Sequence, residues 1–253
     1  MNWIGLYTFI RREIDRMLRV ATQTLLTPWI SALLYIFIFG HVVGRRIESI
    51  AGVEYIDFVL PGILMMNVIS SAFSHTSSSL HFQRFIRHIE ELLVAPFSHV
   101  EMVIGFVVGG VVRAVILGLG VYVIAVFFGA AGMTHFGLFV FYTVSIATVF
   151  ALLGMLVGLW AQSFEQLSVL NTFVIMPLTF LGGVFYSINM LPEKLQAFAL
   201  LNPFFYFIDG IRYSMIGVKE SNHAVGVAVI LFLGITLWLV VVGLFKRGWR
   251  LRL

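Results

Sequence analysis

Six stretches of about twenty predominantly apolar residues recur along this chain, and each has the length an α-helix needs to cross the hydrocarbon core of a bilayer. In that solvent every backbone N–H and C=O must find a partner inside the protein, so such runs fold as helices rather than as open sheet. They consume most of the 253 residues and leave no room for a separate soluble domain. Composition agrees: 60% of residues are hydrophobic and 11% charged, with a mean hydropathy of +1.01. A net charge of +4 would suggest nucleic acid only on a folded soluble face. Here the basic residues flank apolar runs, so they serve orientation in the membrane and no nucleic-acid partner is expected. The absence of cysteine excludes disulfides, thiol catalysis and cysteine-held metals. No cleavable signal peptide is expected, because the first apolar run is long and lacks a small-residue cleavage site.

The runs place spans at about 24–43, 57–80, 103–128, 136–161, 167–184 and 224–245. Pro28 falls in the opening turns of the first, where proline is tolerated. Pro177 and Gly182-Gly183 bend or end the fifth. Ahead of the spans, residues 1–20 read as an interfacial helix, with Leu6, Tyr7, Ile10, Ile14, Met17 and Leu18 near one face and Arg12, Arg16 and Arg19 on another. Within 185–218, LPEKLQAFALLNP offers Pro192 as a helix start and Asn202-Pro203 as a stop. FFYFIDGIRYSMIG continues as a second short helix, making a broken, partly inserted hairpin at the outer surface. With a cytoplasmic N-terminus, segments 1–23, 81–102, 162–166 and 246–253 carry ten Lys/Arg, and 44–56, 129–135 and 185–223 carry five. That asymmetry favours both termini in the cytoplasm.

The stretch RFIRHIEELLVAPFS, residues 84–98, interrupts the apolar pattern. On a helix, Phe85, Ile86, Ile89, Leu92 and Leu93 form one apolar stripe, Arg84, Arg87, His88, Glu90 and Glu91 take the opposite side, and Pro96 ends it. It reads either as an interfacial helix on lipid headgroups or as a docking helix for a cytoplasmic protein. Mixed charge favours docking, since a helix built for anionic lipid would be rich in Lys and Arg alone.

Taken in order, the amphipathic N-terminal helix, LPGILMMNVI at 60–69, FQRFIRHIEELLVAPFS at 82–98, PLTFLGGVFYSINMLPE at 177–193 and LNPFFYFIDGIRY at 201–213 resemble the ABC-2 family of ATP-binding-cassette exporter permeases. The likeness is greatest to its YadH-like branch of bacterial inner-membrane permeases, and it covers essentially the whole chain. It implies an all-α membrane protein of ABC-2, type V exporter-like fold. Its parts are six transmembrane helices, an N-terminal interfacial helix that also meets the ATPase, a cytoplasmic coupling helix at 84–95 and a re-entrant outer helical hairpin at 185–218. It implies a homodimer or close heterodimer in membrane lipid. It also implies two copies of a separate ATPase, holding ATP and Mg, engaged by Arg84, Phe85, Arg87, His88, Ile89, Glu90, Glu91, Leu92 and Pro96. Export of an amphipathic or lipid-linked substrate is likewise an implication of the family. No G-x-x-x-x-G-K-[ST] phosphate loop occurs in the chain, so it is not expected to hydrolyse ATP or to hold a cofactor of its own.

Arg113 lies about ten residues, roughly 15 Å, into the third span. At that depth it faces protein or water, or else snorkels toward the inner headgroups past Gly109 and Gly110. Glu101 is too far along the same helix to pair with it. Ser70, Ser71, Ser74, His75, Ser77, Ser78 and Ser79 make the second half of span two polar, as a pathway wall or as close packing by small residues. Asp209 and Arg212, three apart on a helix, are expected to pair, either within an outer gate with Gly182, Gly183, Asn202 and Pro203 or as a local ion pair. A polytopic enzyme would show paired carboxylates in spans, H-E-x-x-H or G-x-S-x-G, and none is present. An ion-coupled secondary transporter would show matched interruptions in two halves, whereas one broken region occurs, near the end.

Overall fold

The computed structural model describes residues 2–44, 46–47, 49–130 and 132–251, the side chain of His41 excepted. Arg45 and Arg252, counted above among the segment charges, lie outside the described residues. Among the described residues, six helical segments are long and apolar enough to cross a membrane.

Helix α1, Trp3–Arg19, opens on Asn2, whose side chain accepts from Gly5 N. Helix α2 covers 22–43 and begins with a π-turn, Thr22–Leu26, before Pro28. Proline has no N–H to give to the carbonyl four residues back, here that of Thr24, and the widened turn accommodates the gap. Helix α7, Phe164–Leu181, repeats the device with a π-turn at Asn171–Ile175 ahead of Pro177. After α2 a minimal hairpin pairs β1 (Ser49–Ile50) with β2 (Val53–Glu54). Its turn residues Ala51 and Gly52 have φ of 52° and 82°, the left-handed pair that a two-residue hairpin needs.

Helix α3, Tyr55–Phe85, is the axis of the molecule. Its most apolar stretch is 78% buried, against 56% for α5 (His99–Phe127) and α6 (Phe136–Trp160) and 17% for α2, α7 and α10 (His223–Lys246). Thirty-one residues make a rod about 46 Å long, roughly three turns more than the hydrocarbon core requires, so its end projects beyond the bilayer. Small residues seat α6 against it. Thr76 Oγ1 donates to Ala151 O at 2.8 Å, and a Cβ added at Gly154 would collide with Thr76 Oγ1 and the Phe73 carbonyl. Gly154→Val is therefore expected to separate α3 from α6 and cost about 3 kcal/mol, at the upper end for overpacking. Gly137, with open space around it, serves as control: Gly137→Ala should leave the thermal unfolding midpoint of the detergent-solubilised protein unchanged.

The expected single helix across 84–94 is not formed. Helix α3 stops at Phe85, Ile86 caps it, Arg87 adopts φ 59°, and a separate short α4 runs Ile89–Val94. The reason lies in packing. Ile89 and Leu92 are 1% and 6% exposed, and a straight continuation of α3 would carry them away from the core they fill. Beyond α7, a 3₁₀ turn at Ile188–Met190 leads to α8 (Glu193–Leu201) and α9 (Pro203–Ile216), and α9 packs against α3 and α6.

Candidate functional site

At the end of α3 the docking residues divide. Arg84, expected on the exposed charged side, is 2% exposed, and its Nη1 donates to the carbonyls of Gly158 (2.7 Å) and Ala161 (3.4 Å). Those carbonyls close α6, whose last turn lacks intrahelical donors and carries partial negative charge. Arg84 is therefore a cap for α6 rather than a contact for a partner. Ile89 and Leu92 face inward, whereas Phe85, Ile86 and Val94 are exposed. Arg87, Glu90, Glu91 and Pro96 are exposed, and half-buried His88 pairs through Nδ1 with Glu91 Oε2 at 3.0 Å. The elbow at 85–94 thus presents both charge signs with apolar side chains between them.

Helix α1 lies against α5 and buries Leu6, Phe9, Glu13 and Met17, with Phe9 on Phe106 of α5. Of the expected apolar face, Leu6 and Met17 are buried, while Tyr7 and Leu18 point outward. Arg12 and Arg19 are exposed, and Arg16 is half-buried. Glu13 is the residue that sequence reading passed over. It is 1% exposed; Oε2 accepts from Arg16 Nη2 at 2.8 Å and Ser79 Oγ at 2.7 Å, and Oε1 from Gln83 Nε2 at 2.8 Å. Burial lowers the pKa of Arg16 and the Glu13 charge pulls it back up. The available signal was a carboxylate four residues from both Phe9 and Met17, hence on their face of the helix.

Arg113 Nη2 lies 3.4 Å from Thr24 O, the carbonyl that Pro28 leaves without its helical donor. Glu101 is committed elsewhere: it completes a capping box with Ser98 and accepts from Asn2 N at 2.6 Å. Of the serines of α3, Ser71, Ser77 and Ser79 are buried, Ser74 is half-buried and Ser78 exposed.

At the opposite end, Arg212 on α9 is fully buried. Its Nε donates to Phe58 O at 3.3 Å, Nη2 donates to Gly183 O at 2.6 Å, and the guanidinium sits 3.8 Å over the Phe58 ring. The expected Asp209–Arg212 pair is absent. Asp209 instead accepts from the backbone of Glu220 (2.7 Å) and Ser221 (3.0 Å) and from Ser221 Oγ, while Arg212 Nη1 lies 3.9 Å from Glu220. Buried backbone groups at segment ends claim both side chains, because leaving those groups unpaired costs more than breaking one ion pair. Gly183 holds φ 85°, which suits glycine, and Gly182 packs under Ile208 and Phe204. Asn202 joins two helices: Oδ1 caps α9 at Phe204 N and Nδ2 donates to Leu178 O of α7 at 2.7 Å, with Pro203 in the first turn. Among the described residues no three His, Asp or Glu side chains gather as a metal site.

A bundle of six candidate spans, with a charged elbow at one end of its central helix and a broken helical hairpin latched to the other, defines a polytopic helical membrane protein. The chain belongs to the ABC-2 type transporter family, which it matches over residues 5–216. It is 39% identical over 253 residues, 100% of this chain and 98% of the relative, to the inner membrane transport permease YadH of Escherichia coli (strain K12). It is also 25% identical over 252 residues (98% and 95%) to nodulation protein J of Rhizobium leguminosarum bv. viciae. The nodulation protein J of Rhizobium meliloti (strain 1021) is 28% identical over 220 residues (85% and 82%). The chain is thus a multi-pass helical membrane protein of the ABC-2 type transporter family, similar over its whole length to a transport permease of the inner membrane.

Proposed function

We propose that this chain is the membrane subunit of an ATP-driven exporter. Two copies line a pathway with α2, α3 and α7, both termini face the cytoplasm, and two ATPase subunits that carry the ATP and Mg dock on the elbow at 85–94. The observation that carries this reading is the elbow itself: a mixed-charge surface held rigidly by buried Ile89, Leu92 and Arg84 at the tip of the most buried helix. Helix α3 runs unbroken from that tip to Phe58, under Arg212. A push on α4 at ATP closure is therefore delivered to the latch of the outer hairpin. The ATPase shifts the conformational balance because it contacts the elbow differently in its open and closed states. Release of an amphipathic or lipid-linked substrate follows as the hairpin parts.

Charge reversal of the exposed residues, Arg87→Glu with Glu90→Lys and Glu91→Lys, tests this reading. Co-purification with the cognate ATPase is expected to fall at least about ten-fold, as for loss of complementary charge at an interface, with the melting temperature unchanged, since exposed substitutions cost little. Ile89→Asp or Leu92→Asp would not serve, because both side chains are part of this subunit's own core. Undiminished ATPase capture by the reversed variant, or transport by the permease alone under a proton gradient, would overturn the proposal.

A further inference from the structure

Two polar groups on the walls of one chamber lack partners, and each supplies what the other needs. Arg113 of α5 has its Nε buried and unpaired, and its hydrogen bond from Nη2 to Thr24 O is long at 3.4 Å. Asn171 of α7 has its Oδ1 buried and unpaired. The first is a donor and the second an acceptor. Both side chains line a chamber of about 370 Å³ between α7 on one side and α3 and α5 on the other. No other group there satisfies them. Ser77 and Ser78 donate to Ser74 O within α3, and Ser168 donates to Phe164 O within α7. Among the described residues no carboxylate lies within 4.0 Å of Arg113. A buried donor and a buried acceptor left apart each carry a desolvation penalty, which an arrangement that joins them removes.

Helix α7 is the wall able to move. Arg113 sits on α5, which is packed against both α3 and α6. Of α7, by contrast, Leu167, Ile175 and Thr179 alone are buried. Asn171 opens the π-turn Asn171–Ile175, and a widened turn is a weak point at which a helix bends. Ahead of it the two turns Phe164–Leu170 are held to the core at Leu167, with the Phe164 ring edge-on against His81 at 4.7 Å. A roll of those turns about Leu167, taken up at the π-turn, carries Asn171 across the chamber.

We propose that the permease has a second arrangement in which the first turns of α7 roll inward and Asn171 Oδ1 accepts from Arg113 Nε, closing the chamber. Arg113 and Asn171 are then positioning residues that latch α7 to α5, and only the part this latch plays in transport rests on the exporter reading. The test uses the purified full-length permease without ATPase. The chain has no cysteine, so Ser78→Cys with Ser168→Cys supplies a single reporter pair across the chamber. Both serines are exposed, and Ser168, three residues before Asn171, shares its helical face. Cross-linking by a short and a long bis-methanethiosulfonate is compared, and the ratio of the two intramolecular products is read by mass spectrometry. Asn171→Asp in this background offers Arg113 a charged acceptor, roughly twice as strong as a neutral one. It is expected to raise the short-to-long ratio at least about three-fold by shifting the population toward the latched arrangement. Arg113→Gln added to Asn171→Asp should return the ratio to that of the reporter pair alone. Asn171→Leu, similar in size but without an acceptor, should leave the ratio at or below that of the reporter pair. Should Arg113→Gln fail to fold, the contrast between Asn171→Asp and Asn171→Leu carries the test. A ratio unmoved by Asn171→Asp, a rise that survives Arg113→Gln, or an equal rise with Asn171→Leu would overturn the latch. ATPase capture by Asn171→Asp should match wild type, because the elbow is untouched, so failure here and failure of the exporter reading are separable.

Discussion

Arg212→Ala is expected to cost about 3–5 kcal/mol, the range for removing one partner of a buried charged network. The guanidinium holds Phe58 O of α3, Gly183 O at the end of α7, and the Phe58 ring at once, with Glu220 beyond. Without it the Gly183 carbonyl loses its side-chain donor, the Phe58 carbonyl keeps only its helical one, and Glu220 loses its counter-charge in the same stroke. Arg212→Lys keeps the charge but cannot fork to two carbonyls while lying flat on a ring. It should recover less than half of the loss. In detergent the wild-type melting temperature is expected to exceed that of the alanine variant by on the order of 10 °C, with lysine between them. Equal stability of the alanine variant would mean that water satisfies these groups and that the α8–α9 hairpin is not latched as described.

Glu13→Ala is expected to free α1 from the bundle. The carboxylate draws Arg16 of its own helix and Ser79 and Gln83 of α3 to one point, while Phe9 packs edge-on against Phe106 of α5. Arg16 is half-buried and swings out to water when its partner goes, so the cost is less than at Arg212, about 2–3 kcal/mol. The readout is local. Tryptic cleavage at Arg11, Arg12, Arg16 and Arg19 should rise at least about ten-fold, because protection reports the free energy of local opening. Glu13→Gln, which keeps the shape and an acceptor oxygen, should show a smaller rise. Cleavage unchanged in the alanine variant would place the hold on α1 in its apolar contacts with α5 instead.

The parts of this fold legible in sequence were those where the chain is its own evidence. Apolar runs mark spans, Asn202-Pro203 marks a helix boundary, and a charged stretch between apolar ones marks a surface. Less legible was which way each face turns. In water an apolar stripe points inward; in a bilayer the outer surface is apolar as well, and Leu6 and Tyr7 of the same expected stripe end one in protein and one outside it. Polar side chains carry more directional information in such a solvent. Glu13, Arg84 and Arg212 are each 2% exposed or less, because the interior is where their partners are. Of the three, reasoning from spacing missed the first, placed the second outside, and gave the third the wrong partner.

By itself, then, the sequence determined a helical, multi-span membrane protein with a mixed-charge interruption after its second span, since span length and charge are local properties of the chain. Tertiary structure alone decided that this interruption is an elbow with Ile89 and Leu92 turned inward, that Arg84 closes α6, that Arg212 ties α9 to α3 rather than to Asp209, and that Arg113 meets no counter-charge among the described residues. The physical reason is common to all four. Each side chain is placed by backbone carbonyls, core positions or charges brought near by other helices, and no spacing along one helix reports what a neighbouring helix offers.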